Sequence, residues 1–159
     1  MTTLQRPAGG PDALRAGRHS VPAAAARQHT LRVLSPEECF DLLDPGGIGR
    51  VGFTTPGGIM MLPVNFAVTG KVIVFRTAPD TLLALCANAQ VSFEADHLDE
   101  VLRQGWSVLV QGRAHQVTAE LEVKHLEDRT HLQPWATGAR DVYLRITPAR
   151  LSGRRIQSG

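Results

Sequence analysis

Arg76-Thr77, followed four residues later by Thr81, is the part of this 159-residue chain best suited to hold an anion. Val72 to Arg76 reads as a strand, and Asp80 to about Asn88 reads as a short helix after Pro79, with Leu82, Leu83 and Leu85 on its apolar side. The first amides of a helix have no internal partner and lie at its positive end, so an anion gains there. An arginine beside them adds a charge-assisted and often bidentate pair. A strand-end arginine in solvent next to an ordinary capping threonine is the competing reading. The second feature is Pro63, in the middle of a predicted strand from Ile59 to Val68. Proline cannot donate to a ladder, so it belongs at an edge or an opening, where unpaired amides and carbonyls are available to a ligand. An edge-strand proline with no ligand accounts for it equally.

Other chemistries find little support. His97, His115, His125 and His131 form no metal-ligand spacing, and nucleophile-elbow and P-loop motifs are missing. Asp96, Asp99 and Glu100 read as part of a solvated loop from Asp96 to Gln104, and Arg150, Arg154 and Arg155 as surface charge. Cys39 and Cys86, far apart, read as small buried hydrophobes in a reducing compartment. A composition of 43% hydrophobic and 20% charged residues is globular. A formal charge of +2 is too small to imply a nucleic-acid partner, and no apolar run is long enough for a membrane span. A cytoplasmic protein is expected.

The elements that must position these residues follow from period and punctuation. Residues 1–30, rich in Ala, Gly, Pro and Arg, read as a disordered arm, and 31–157 as one domain. Ser35-Pro36-Glu37-Glu38 has the form of a capping box, opening a helix that carries Cys39, Phe40, Leu42 and Leu43 and stops at Asp44-Pro45-Gly46-Gly47. Ile48–Thr55, Ile59–Val68 and Val72–Arg76 then form a meander joined by tight turns. Gln90–Ala95 and Trp106–Val117 alternate as half-buried strands, the latter with Trp106, Val108, Val110 and Gly112 on one face. A helix over Thr118 to about Asp128 opens on Glu120 and Glu122. Tyr143–Thr147 and Leu151–Ile156 read as two last strands separated by Pro148. About seven short strands with inserted helices suit a small antiparallel barrel.

Met60-Met61-Leu62-Pro63-Val64-Asn65-Phe66, Val74-Phe75-Arg76-Thr77-Ala78-Pro79-Asp80-Thr81-Leu82, Val91-Ser92-Phe93-Glu94 and Gly105 to Ala114 occur in the order and strand–helix–strand context of a known family. By these stretches the chain resembles the pyridoxamine 5'-phosphate oxidase-like FMN-binding split-barrel superfamily, from about Leu34 to Ile156. Pro134 to Arg140, followed by Leu144 to Pro148, is similar to the end of its actinobacterial flavin and deazaflavin branch. The resemblance implies a mainly β, antiparallel split barrel that forms a homodimer, with a flavin in each cleft between the chains. It implies that the backbone of Met61, Leu62, Pro63, Val64 and Asn65 lies along the flavin ring. It places Arg76, Thr77, Thr81 and Leu82 at the 5'-phosphate. Ser107, with Trp106 packed beside it, would reach the flavin from the second chain, and Trp135 and Arg140 would close over cofactor or substrate.

Two residues depart from the family pattern. Asp80 stands where many relatives have glycine, and Leu82 where a basic residue is usual. Losing one charged hydrogen bond costs roughly 1.5–3 kcal/mol, so FMN would be held more weakly or a flavin with another tail preferred. Pyridoxamine 5'-phosphate oxidase itself is disfavoured, because Met61, Phe66, Leu82 and Leu83 replace its basic residues. The function implied is hydride transfer at FMN to or from a small organic substrate, with no side chain assigned as catalytic acid or base. FAD and the deazaflavin coenzyme F-420 are alternative cofactors, and a non-catalytic flavin- or haem-binding protein is the alternative of another class.

Overall fold

Among the described residues the chain forms seven antiparallel strands, six of them around an apolar interior. They are β1 (His29–Val33), β2 (Gly47–Thr55), β3 (Gly58–Thr69), β4 (Val72–Thr77), β5 (Gln90–Asp99), β6 (Gln104–Val117) and β7 (Val142–Ser158). A computed structural model describes residues 29–133, 135 and 137–158. The expected arm therefore lies outside the described residues except for His29 and Thr30, which open β1. Strand order is β1-β7-β4-β3-β2-β5-β6, and β6 pairs in turn with β7. That last pairing closes six strands into a barrel and leaves β1 as an appendage on the end of β7. The mainly β, antiparallel class expected from the sequence is the one observed.

The interior follows from the two-residue period. Val51, Phe53, Val64, Phe66, Ile73, Phe75, Phe93 and Val108 are buried in one cluster, and Phe66 meets Phe93 edge-on at 4.8 Å. Cys39 and Cys86 are buried in the same cluster as free thiols. Burial pushes both thiols up, Cys86 to about 11, so neither is primed for nucleophilic work. Val74 alternates out of that cluster. With Val117 and Tyr143 it forms a second apolar layer, covered by Leu126 of α2 (Glu120–Thr130) and by Leu132.

Helix α1 (Pro36–Leu43) has the predicted capping box: Ser35 Oγ accepts from the Glu38 amide, and the Glu38 carboxylate accepts from the Ser35 amide. That amide, and then the Arg32 guanidinium, hold the Glu38 carboxyl below its ordinary range. α1 lies against β7, with Cys39 beside Gly153, and among the described residues, 147–152 of β7 have no strand partner on the side away from β6.

Several boundaries differ from expectation. The helix expected over Asp80–Asn88 is only a 3₁₀ turn, Leu82–Cys86, with Thr81 at its cap rather than in its first turn. Its extension is stopped at Asn88, which adopts φ 66° and gives its amide to the Ala114 carbonyl, so β6 captures the chain at once. The loop expected over Asp96–Gln104 is largely strand. His97 pairs with Trp106 and Asp99 with Gln104, which leaves residues 100–103 as the turn. The two strands expected around Pro148 are one strand. Gly112 pairs with Pro148 and Gln111 with Arg150, so Ala149 is the extra residue of a bulge that takes up the proline. A Cβ on Gly112 would run into the Thr147 carbonyl, so only glycine fits beside the bulge. β1 has no counterpart in the sequence reading.

Candidate functional site

The barrel is open between β3 and β4. β3 pairs with β2 from Gly58 to Phe66, but with β4 only from Phe66 to Thr69. Residues Ile59 to Asn65 thus have a strand on one side and, among the described residues, none on the other. The carbonyls of Met60 and Phe66 point toward β2. In a strand the polar groups of successive residues alternate sides, so those of Met61, Pro63 and Asn65 face the opening. The sequence reading of Pro63 holds for this reason: its missing N–H falls where no ladder bond was to be made. Side chains alternate as well. Leu62 and Val64 pack into the interior, whereas Met61 and Pro63 are exposed and Asn65 is half-buried.

On β4, Arg76 and Thr77 lie beyond the last pair with β3 and face Tyr143 and Val142 of β7 on the other side. Thr77 is fully buried, and its hydroxyl lies 2.6 Å from that of Thr81. Thr81 donates to the Ala78 carbonyl at 2.9 Å, so Thr77 is the donor in the shared bond. The two hydroxyls thereby fasten the turn that follows β4. Asp80 and Leu82 are both exposed beside it.

Arg76 is half-buried and is not extended into solvent. Nε donates to the Arg140 carbonyl at 2.8 Å, Nη1 to the Leu132 carbonyl at 3.3 Å, and Nη2 lies 3.8 Å from the Asp141 carboxylate. Its guanidinium stacks over the Tyr143 ring at 4.9 Å. The Trp135 amide donates to Asn65 Oδ1 at 3.1 Å, which holds an indole that is 79% exposed at the open edge of β3. Met61 to Asn65, Arg76, Thr77, Thr81, Leu82, Trp135 and Arg140 therefore belong to one neighbourhood around the opening. Sequence reasoning missed Tyr143, Leu132 and Asp141 as partners of Arg76. Pairing β4 with β7 was the signal needed, and it joins segments almost seventy residues apart.

Trp106 and Ser107 lie elsewhere. They start β6 and line a surface cleft of about 330 Å³ with Leu98, Arg103, Arg154 and Ile156. β6 reaches the level of Tyr143, and so of Arg76, only at Val117. That is eleven residues on (117 minus 106), a contour of roughly 36 Å at about 3.3 Å per residue. The other way round the barrel, Leu109 stands opposite Glu94, Glu94 opposite Arg50 and Arg50 opposite Pro63, so Ser107 lies three strands from the open edge of β3.

Arg50, Glu94 and Asp96 form a separate polar cluster on β2 and β5, with Arg50 Nη1 at 3.1 Å and 3.4 Å from the two carboxylates. Burial and the neighbouring Asp96 raise the Glu94 carboxyl against the pull of Arg50. This is a structural ion pair on an outer face. Among the described residues, no group of three or more His, Cys, Asp or Glu could hold a metal, and no helix is long and apolar enough to cross a membrane.

The profile of the pyridoxamine 5'-phosphate oxidase family matches residues 35–155. The chain is 33% identical over 129 residues to the uncharacterized protein Rv0080 of Mycobacterium tuberculosis, covering 77% of this chain and 84% of that one. It is 35% identical to a solved FAD binding protein from Mycobacterium smegmatis, covering 77% of this chain and 96% of that one, with a TM-score of 0.66. A solved FAD-binding protein from Mesorhizobium loti, 24% identical, shares the fold over 82% of this chain and all of its own length, with a TM-score of 0.67.

Proposed function

The chain belongs to the pyridoxamine 5'-phosphate oxidase family, and on that premise we propose that it binds a flavin nucleotide at the opening between β3 and β4 and acts as an oxidoreductase on a small organic substrate. The observation that carries this reading is the unpaired edge of β3 from Ile59 to Asn65. A flavin ring presents both donors and acceptors along its polar edge, and an open strand offers amides and carbonyls in alternation. The Met61 amide and carbonyl, the Pro63 carbonyl and the Asn65 amide and carbonyl are the groups turned outward. When bound, the flavin supplies the hydride-transferring centre. The protein binds and orients it, and Trp135 shields the site from water. None of the residues around the opening is assigned as an acid or base.

The fit is good at the ring and poor at a terminal phosphate. Two arms of Arg76 are already bonded to carbonyls, Nη2 is turned toward Asp141, and the exposed neighbours are the acid Asp80 and the apolar Leu82. Each phosphate of the FAD diphosphate carries one charge, against nearly two on the terminal monoester of FMN, so the phosphate beside Asp80 is repelled less. The likeness to the mycobacterial FAD binding protein supports the same preference, so we propose FAD ahead of FMN. We also propose that two copies of the chain pair. The place of Trp106 and Ser107, three strands round the barrel from the open edge, supports this, because a second copy could present those residues to it.

The test is the absorption spectrum of the protein purified from its native host, followed by titration with FAD, FMN, coenzyme F-420 and haem. A flavin spectrum and tighter binding of FAD are expected. A deazaflavin spectrum or a haem Soret band would transfer the site to that cofactor. A colourless chain that takes up none of the four would sink the redox reading.

A further inference from the structure

We propose that Arg76 is a positioning residue: its guanidinium clasps the exit of α2 to the entry of β7, and it serves the cofactor site through the chain rather than as a phosphate ligand. After α2 the chain leaves the helix at His131, which adopts φ 42°. Leu132 follows, buried in the layer under α2, with its carbonyl past the point where helical bonding could satisfy it. Eight residues later the Arg140 carbonyl precedes β7. A single guanidinium reaches both, through Nη1 and Nε, while its flat face rests on Tyr143, the second residue of β7.

That arrangement uses what distinguishes arginine from lysine. Two carbonyls in different directions need a rigid fork, and the ring beneath it needs a planar cation. A lysine keeps the charge and can still meet a phosphate as a point charge, but it cannot span both carbonyls and stack. The same clasp fixes the chain on either side of Trp135, whose amide is anchored on Asn65 at the open edge. This deepens the flavin reading, in that the clasp keeps the indole at the proposed site, yet every contact of the clasp is between groups of the chain itself.

The experiment therefore uses the full, flavin-free chain. Trypsin cleavage after Arg140, whose carbonyl the clasp holds, is timed against cleavage after Arg103, in the exposed turn between β5 and β6. Local release of two charged hydrogen bonds should speed the first by about tenfold or more in both Arg76→Ala and Arg76→Lys, with the second unchanged. Wild-type resistance in Arg76→Lys would overturn the proposal, since charge alone would then suffice. An equal rise at both sites would overturn it too, as general loosening. Should the variants fail to fold, the unmutated chain still decides. Its Arg76 Nε–H should show slowed exchange with water, and an Nε–H exchanging as fast as that of an exposed arginine refutes the clasp. The flavin reading is tested separately: if flavin binds, Arg76→Lys should lose as much affinity as Arg76→Ala.

Discussion

The β5–β6–β7 side of the barrel and the β3–β4 side are made of the same kind of strand and differ in how far the pairing runs. β5 and β6 stay paired from Gln90↔Arg113 to Asp99↔Gln104, and β6 and β7 from Gly105↔Ile156 to Val117↔Tyr143 across one bulge. β3 and β4 pair only from Phe66↔Phe75 to Thr69↔Val72. The closed side satisfies its backbone within the chain. The open side leaves polar groups of β3 without a strand partner among the described residues, a liability in an edge strand unless something binds there. Stability is thus concentrated on one side and binding capacity on the other. Phe93 links them, because it is buried on β5 and packs on Phe66, the last residue where β3 has both neighbours. Phe93→Ala should cost about 3–5 kcal/mol, read as a shift in the urea midpoint at constant slope. A loss of less than about 1 kcal/mol would mean that the two sides do not share a core.

A proline moved to the closed side gives the next largest effect. Leu109 on β6 faces Glu94 on one strand and Ser152 on the other, so no direction is free for a missing N–H. Leu109→Pro should destabilise on the order of 3 kcal/mol, whereas the native chain carries Pro63 on β3. If Leu109→Pro unfolds at the wild-type urea midpoint, the closed side is not closed.

Much of this contrast was legible in the sequence. Pro63 marked an edge, alternation in Trp106–Val117 gave the buried face of β6, and Ser35 with Glu38 gave the start of α1. What could not be read there depends on pairing between distant segments. Asp96 to Asp99 look like a polar loop until Ser107, Trp106 and Gly105 are laid opposite as strand partners. Arg76 looks like a free anion ligand until β7 brings Tyr143 beneath it and its two carbonyl partners beside it. Local composition names the residues of the opening, but register decides what they touch.

Among the described residues, 147–152 of β7 also lack a strand partner on one side, and α1 packs on β7 next to them, at Gly153. Gly153 leaves room for Leu34 and Cys39, and a Cβ would strike both. If that packing matters, weakening α1 should be felt as stability rather than as binding. Ser35→Ala should cost about 0.5–2 kcal/mol and leave flavin affinity unchanged. Glu38 adds a pH signature. Its carboxyl is depressed in the fold by the Ser35 amide and Arg32. Its contribution is therefore complete above the ordinary carboxylate value and is lost as pH falls through the lower folded one. The difference in stability between wild type and Glu38→Gln should shrink as pH falls through and below the ordinary carboxylate range. A difference that grows on acidification would show that the carboxylate is not held by the cap.

The smallest effect sharpens the comparison most. Pro63→Thr restores an N–H to β3 at a point where no strand stands opposite, so no ladder bond is gained and none was absent. Stability should fall by only about 0.4–1 kcal/mol, through the greater freedom of the unfolded chain, with the β preference of threonine working against even that. The new donor alters the polar edge along the proposed ring site and leaves the turn at Thr77 and Thr81 untouched. FAD and FMN affinities should then change by the same factor, keeping their ratio fixed. A change in that ratio would put Pro63 beside the cofactor's tail. A loss of about 3 kcal/mol would mean that the β3 edge is already engaged within the chain, and the division between a closed, stabilising side and an open, binding side would fail with it.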